Sequence, residues 1–163
     1  MKILLYHGGT EIIKFPYVNV GRDNLDFGRG FYLTDLKEQA VRWALAVATR
    51  RRKDAVINIY EFDKDAVLKS ARCKIFKAYD EEWLNFIVAN RRGEALYKKY
   101  DYIEGGVADD RVIDTINLYI VGLMSADVAL KRLAQYKPNN QICILNQAII
   151  DKYMTYYGTE TAK

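Results

Sequence analysis

The chain has 163 residues, of which half are hydrophobic and 13% aromatic, and its formal net charge at pH 7 is +4. This length fits one domain with a buried core, and the apolar content excludes a disordered polar chain. No apolar run approaches the roughly 20 residues that a membrane-spanning helix needs, and the N-terminal run is too short for a signal peptide. We therefore expect a soluble protein with no membrane partner.

The cysteines and the charges set further bounds. Cys73 and Cys143 are far apart and lack metal-ligand spacing, so we expect no disulfide, no metal site and a cytoplasmic location. Basic residues cluster at 50–53, 91–92 and 98–99. Such clusters are typical of solvated helix ends, and a net charge of +4 is weak evidence for a nucleic-acid surface, which stays an open alternative.

The predicted elements begin with a short buried strand at residues 2–7, which Gly8 and Gly9 end. Residues 10–29 follow as an irregular segment, and residues 30–33 predict a second strand.

A helix is predicted next. Thr34 or Asp35 is expected to cap it, with Glu38 completing a capping box behind Asp35. Its core-facing residues repeat at helical spacing and are Leu36, Ala40, Trp43, Ala44, Val47 and Ala48.

The rest of the chain mixes strands and helices without strict alternation. We predict strands at residues 56–62, 100–107 and 141–145. Helices are predicted at residues 80–89, where the acidic residues 80–82 precede the apolar run 83–89, and at residues 110–121, 125–135 and from 146 to about 153. With no repeat or linker, this pattern predicts an α+β fold. Residues 1–155 would form a single domain, and residues 156–163 a frayed tail.

His7 is the only histidine, and it ends an apolar strand directly before Gly8 and Gly9. A lone histidine is more often a capping or core residue than part of a site. The two glycines alter that balance, because they let backbone N–H and C=O groups approach a flat ligand closely. A second glycine cluster, DFGRGFYLT at residues 26–34, follows shortly after. Each motif alone would be insufficient.

Together, the order and spacing of these motifs resemble the ADP-ribosyltransferase superfamily. The match is to its His-Tyr-Glu branch, which includes diphtheria toxin and the poly(ADP-ribose) polymerases. More closely, the chain is similar to the bacterial family DUF3990, which also has an Ala-Asp-Asp-Arg block and a late Gln-Ile strand, here residues 108–111 and 141–142. The resemblance covers roughly residues 3–150. It implies an ADP-ribosyltransferase-like fold, with two small, mostly antiparallel sheets and peripheral helices around an NAD cleft.

The resemblance implies that NAD is bound as a substrate. His7 would hydrogen-bond the ribose of the adenosine half, and the backbone of Gly8 would pair with the nicotinamide carboxamide. Tyr32 would stack on the nicotinamide ring, because an aromatic face attracts a cationic ring. Many relatives have Ser or Thr two residues after the histidine, where this chain has Gly9. Whether Thr10 supplies that hydroxyl is open.

The third position of the family pattern differs in this chain. The last strand of such enzymes usually begins with glutamate, and the matching residue is Gln141. Glutamine can still hydrogen-bond the ribose 2′-hydroxyl, but it cannot deprotonate an acceptor. Loss of one well-aimed electrostatic contact typically costs on the order of 100-fold in rate. Asp109 and Asp110 are the expected substitute carboxylates, while capping of the following helix explains one of them equally well.

Two arginines, Arg22 and Arg29, flank the second motif. A guanidinium suits the pyrophosphate of NAD, although isolated loop arginines are more often simply solvated.

The implied reaction is cleavage of the nicotinamide–ribose bond of NAD and transfer of ADP-ribose to a macromolecular acceptor that the sequence does not name. Small bacterial enzymes of this kind often act as toxins, which implies a neutralising antitoxin protein as a partner. Two alternatives stay open. One is an NAD glycohydrolase with water as the acceptor, and the other is a catalytically silent module that binds NAD or ADP-ribose.

Overall fold

The computed structural model describes residues 1–20, 25–109 and 112–162, and within these ranges the chain is α+β, as predicted. The strands are β1 (Ile3–Gly9), β2 (Phe31–Leu33), β3 (Ala55–Phe62), β4 (Cys73–Ile75), β5 (Tyr102–Gly105), β6 (Gln141–Ile144) and β7 (Met154–Ala162). The helices are α1 (Lys37–Arg51), α2 (Lys64–Ser70), α3 (Glu81–Arg91), α4 (Ile113–Ile120), α5 (Ala126–Leu133) and α6 (Gln147–Tyr153). None of these helices is both long and apolar enough to cross a bilayer.

The strands form two small sheets. The first has the order β1-β3-β7 and is antiparallel, and the second has the order β2-β6-β5-β4, in which β4 and β5 are parallel. The sheets meet where Tyr6 of β1 and Thr34 exchange two backbone hydrogen bonds of 2.8 and 2.9 Å. This bridge brings the end of β1, with His7, next to β2, with Tyr32.

Helix α1 packs closely on the first sheet because its inner face is small. Ala40, Ala44 and Ala48 are buried there against Ile57 of β3. A Cβ atom on Gly8 would lie 2.1 Å from the carbonyl oxygen of Ala40. Glycine at this position therefore lets the helix approach the strand, and this approach sets the position of α1 beside the second sheet.

Two further apolar clusters hold the second sheet. Helices α3, α4 and α5 cover one face with side chains that include Trp83, Ile87, Ile116 and Leu133. A cluster that joins residues of both sheets includes Leu5, Leu33, Tyr60, Tyr102 and Ile142. Full burial of one such side chain contributes about 1.5–3 kcal/mol, so these clusters account for much of the stability.

The predicted capping box of α1 is wrong. Leu36 occupies the N-cap position without a side-chain cap. The Thr34 hydroxyl does accept a hydrogen bond from the Leu36 N–H at 3.0 Å. The Asp35 carboxylate instead accepts a bond from the Asn140 side chain at 2.9 Å. A tertiary partner has therefore taken the group that a capping box requires.

The predicted frayed tail is also wrong, because Met154–Ala162 forms β7 and pairs with β3 along its length. This strand is mostly polar. Its Tyr156 ring packs edge-on against the ring of Tyr60, with 6.0 Å between ring centroids. Backbone pairing rather than an apolar pattern holds it. The sequence pattern also does not predict the short elements α2 and β4.

Candidate active site

A pocket of about 360 Å³ opens between the second sheet, α1 and the C-terminal end of α3. It contains two residues that the sequence singles out, Tyr32 and Gln141. They meet because β2 and β6 are antiparallel neighbours, with Leu33 opposite Ile142. The remaining lining residues are Leu25, Asp26, Trp43, Arg91 and Val107.

The glycine-rich turn before β2 fixes the hydroxyl of Tyr32. This hydroxyl donates a hydrogen bond to the Gly28 carbonyl at 2.5 Å and accepts one from the Phe27 N–H at 3.2 Å. Gly28 has φ +86°, and a Cβ there would fall 2.0 Å from Cγ of Tyr97. Burial raises the pKa of the Tyr32 hydroxyl far above its ordinary value, so the group stays neutral. Its ring is thereby held as a wall of the pocket.

His7 is tied to the same strand. Its Nδ1 atom lies 2.7 Å from the carbonyl oxygen of Tyr32, and its ring stacks on Phe31 at 4.5 Å. A carbonyl oxygen only accepts, so Nδ1 carries the proton. Burial lowers the pKa of the imidazole, an effect that the Tyr32 carbonyl partly opposes. At neutral pH the Nε2 atom therefore has a lone pair that can accept a hydrogen bond from a ligand hydroxyl.

The residues that follow His7 have other surroundings. Gly8 faces α1, as described above, and the space beside Gly9 is open apart from Nε2 of His7 at 3.8 Å. The Thr10 hydroxyl accepts a bond from Arg51 at 3.3 Å and lines a separate pocket with Lys53. The structure thus does not bring Thr10 to the pocket of Tyr32 and Gln141.

The two flanking arginines do not add to the pocket either. Arg29 is exposed and lines a different depression together with Arg72 and Asp101. Arg22 lies outside the described residues, as does Asp110.

Gln141 is the first residue of β6 and only 4% exposed. Its amide nitrogen donates a long hydrogen bond of 3.4 Å to the Gly106 carbonyl. Because that carbonyl can only accept, the amide NH2 must face it, and Oε1 is the acceptor end of the group. The same carbonyl also accepts a bond from the Trp83 indole at 3.0 Å.

The residue before Gln141 anchors the start of β6. The Asn140 carbonyl accepts hydrogen bonds of 2.8 Å from both the Thr34 hydroxyl and the Gln39 amide. These bonds connect β6 to the end of β2 and to the first turn of α1. They fix the strand at the point where Gln141 enters the pocket.

The Asn140 side chain extends this network to a buried carboxylate. It donates to Glu104 at 3.1 Å as well as to Asp35. Glu104 also accepts from Lys64 at 2.9 Å and from the Tyr102 hydroxyl at 2.6 Å. Because the side chains of Asn140, Glu104 and Tyr102 are all hydrogen-bonded to one another or to Lys64 and Asp35, the network is a rigid support for the start of β6.

Asp109 lines a neighbouring pocket of about 590 Å³, which shares Trp43 and Val107 with the first. Its carboxylate accepts a hydrogen bond from the Asn139 side chain. The N-cap residue of α4 is Val112, which provides no side-chain cap. Of the two aspartates expected as caps, Asp110 lies outside the described residues, and the backbone carbonyl of Asp109 accepts hydrogen bonds from the N–H groups of Val112 at 3.0 Å and Ile113 at 2.9 Å.

The sequence does not predict the ion pair between Asp26 and Arg91. Both Nε and Nη2 of Arg91 lie 2.7 Å from Oδ1 of Asp26. The Arg91 side chain is 25% exposed and the Asp26 side chain 12% exposed. Asp26 belongs to the DFGRGFYLT motif, but its sequence neighbours suggest only a turn. Arg91 is in a basic cluster typical of solvated helix ends. Nothing in the sequence spacing joins the two.

A family model described as "Protein of unknown function (DUF3990)" matches residues 3–156. No curated protein and no solved structure matches the chain significantly.

Proposed function

We propose a function for this chain, which belongs to the DUF3990 family. The proposed function is cleavage of NAD at the nicotinamide–ribose bond and transfer of ADP-ribose to a macromolecular acceptor. One observation carries this proposal. Tyr32 and Gln141 line the same pocket, and His7 is bonded to the Tyr32 carbonyl. These are the three positions of the ADP-ribosyltransferase pattern that the chain resembles, with Gln141 standing where such enzymes usually have glutamate.

The chemistry of the pocket supports nicotinamide as its ligand. Nicotinamide in NAD is a flat cation that carries a carboxamide. Tyr32 and Trp43 offer aromatic surfaces to such a ring, Asp26 offers a negative charge, and Gln141 offers a polar amide. The volume of about 360 Å³ lies within the range of small-molecule sites.

The protonation state of His7 supports its assignment to a ribose. Its Nδ1–H is committed to the Tyr32 carbonyl, so the neutral ring offers Nε2 as an acceptor. A ribose hydroxyl can donate to this atom. The rigid link between His7 and Tyr32 would then fix the distance between the adenosine and nicotinamide ends of the dinucleotide.

The reaction needs charge stabilisation more than covalent chemistry. When the bond between C1′ and the nicotinamide nitrogen breaks, its electron pair neutralises the ring, and the positive charge moves to the ribose. Oε1 of Gln141 would accept a hydrogen bond from the 2′-hydroxyl and orient the sugar. The acceptor then attacks C1′ and releases its proton to solvent.

A second candidate is a module that binds NAD without turning it over, and Gln141 favours it. A neutral amide takes up no proton and provides little stabilisation to a developing cation. An NAD glycohydrolase is a third candidate, since water can replace the macromolecular acceptor.

Incubation with NAD labelled in the adenylate half, with cell lysate added, separates these candidates. A transferase releases nicotinamide and labels macromolecules, whereas a glycohydrolase yields labelled free ADP-ribose. A silent module binds NAD and releases no nicotinamide. Absence of NAD binding by the folded protein would contradict all three. Tyr32→Ala tests whether the pocket is the NAD site. Tyr17→Ala is its control, since Tyr17 is 59% exposed and does not line the pocket.

A further inference from the structure

One pocket wall carries a carboxylate, Asp26, that is paired with Arg91 of the same wall. Asp26 is the carboxylate among the lining residues described for the pocket of Tyr32 and Gln141, and Asp109 lies in the neighbouring pocket. If the chain cleaves NAD as proposed above, Asp26 lies in the same pocket in which the nicotinamide–ribose bond breaks.

The carboxylate of Asp26 is held by Arg91, which lines the same pocket. Two Arg91 nitrogens bind its Oδ1 atom at 2.7 Å, while among the described residues Oδ2 receives a long contact of 3.3 Å from the Ala108 N–H. The Asn90 side chain also donates to the Asp26 carbonyl at 2.8 Å, which fixes the backbone. Oδ2 thus keeps acceptor capacity, and the group needs no reorganisation to face a developing cation.

Burial and pairing act on this group in opposite directions. Desolvation raises the pKa of Asp26 above its ordinary value, and the Arg91 guanidinium opposes that rise without cancelling it. At 12% exposure, water screens its field weakly, so its effect on a nearby charge exceeds that of a surface carboxylate. A buried ion pair with only a structural role gains little, because desolvation offsets the attraction.

We propose that Asp26, held in place by Arg91, supplies the negative charge that the glutamine at position 141 lacks. Gln141 orients the ribose, and Asp26 faces the positive charge as it moves from the nicotinamide ring to the ribose. In this role Asp26 acts as the carboxylate that Arg91 pairs with, and it forms no covalent bond and takes up no proton. The electron pair of the broken bond leaves with nicotinamide, and the acceptor's proton goes to solvent.

The test measures nicotinamide release and NAD binding in Asp26→Asn, with Asp101→Asn as the matched control. Asp101 also forms a two-point pair with an arginine, Arg72, but outside the pocket. We expect Asp26→Asn to slow cleavage on the order of 100-fold while NAD binding changes much less. Asp101→Asn should cleave at about the wild-type rate. Wild-type cleavage by Asp26→Asn would overturn the inference.

Adding Gln141→Glu to Asp26→Asn separates charge supply from a structural role. A carboxylate at position 141 should restore at least about tenfold of the lost rate if charge is what is missing. A folded, NAD-binding double variant without this recovery would contradict the inference, because Asp26 would then matter only for structure.

Gln141→Glu alone tests the inference even if Asp26→Asn fails to fold. Since Asp26 already supplies the charge, the single change should raise cleavage by less than about tenfold. An increase on the order of 100-fold would show that the native site lacks an effective carboxylate and would overturn the assignment. If the wild-type protein neither binds nor cleaves NAD, the proposed function itself fails, which is a different result.

Discussion

The Nδ1 atom of His7 lies 2.7 Å from the carbonyl oxygen of Tyr32, so the two N-terminal motifs of the chain are joined by one hydrogen bond. The bond depends on the bridge between Tyr6 and Thr34, which places β1 beside β2. It also selects the tautomer of His7. The orientation of a candidate ligand-binding atom is therefore a consequence of how the two sheets meet.

The first prediction concerns the pH dependence of stability. Burial lowers the pKa of His7 below its ordinary value of 6.5, so below pH 6.5 the unfolded chain binds the proton more readily than the folded chain. The contribution of His7 to the free energy of unfolding is therefore full above pH 6.5 and falls as the pH decreases. Urea unfolding at pH 7.5 and 5.5 measures it.

His7→Gln is the control for this measurement, because His7 is the only histidine of the chain. The variant should lose less stability than the wild type between pH 7.5 and 5.5. Equal losses in the two proteins would mean that His7 titrates alike in the folded and unfolded states.

The second prediction concerns the hydroxyl of Tyr32. Tyr32→Phe keeps the ring but leaves the Gly28 carbonyl and the Phe27 N–H without this partner. We expect a loss of about 1–3 kcal/mol in the free energy of unfolding, because a buried group without a partner is costly. Thermal or urea unfolding measures the loss, and a variant as stable as the wild type would show that the turn does not need this hydroxyl.

The third prediction compares two adjacent glycines. Gly8→Ala should destabilise the fold by about 1–3 kcal/mol, because the new Cβ would lie 2.1 Å from the Ala40 carbonyl oxygen and push α1 away from β1. Gly9→Ala should cost much less, since its nearest neighbour would be Nε2 of His7 at 3.8 Å. Similar unfolding midpoints for both variants would contradict this packing of α1.

Local patterns in the sequence predict several elements well. Alternation in β3 and an acidic start before an apolar run in α3 identify both elements, and Asp80 does cap α3 by accepting from the Trp83 N–H at 2.9 Å. β7 lacks an apolar pattern, because it is held by pairing with β3. Its prediction requires knowledge of that partner, which is distant in the chain.

The candidate site divides in the same way. Tyr32 and Gln141 stand in motifs, and the structure brings them together. Asp26 and Arg91 become a pair only when the end of α3 packs against the turn before β2. Gly8 shows a different limit, because a glycine interpreted as a ligand contact has a packing role against α1. Sequence spacing indicates residue types, whereas tertiary contacts decide their partners.

Binding of NAD to the pocket of Tyr32 and Gln141 is the central claim, and calorimetric titration with NAD tests it most directly. The wild type and the Tyr17→Ala control should bind NAD with similar affinity, and thermal unfolding should show stabilisation by the bound ligand. Tyr32→Ala should bind NAD about tenfold more weakly through the loss of stacking, while ADP-ribose binding changes little. A folded wild type with no heat of binding at millimolar NAD, or a Tyr32→Ala variant that loses NAD and ADP-ribose equally, would contradict the claim.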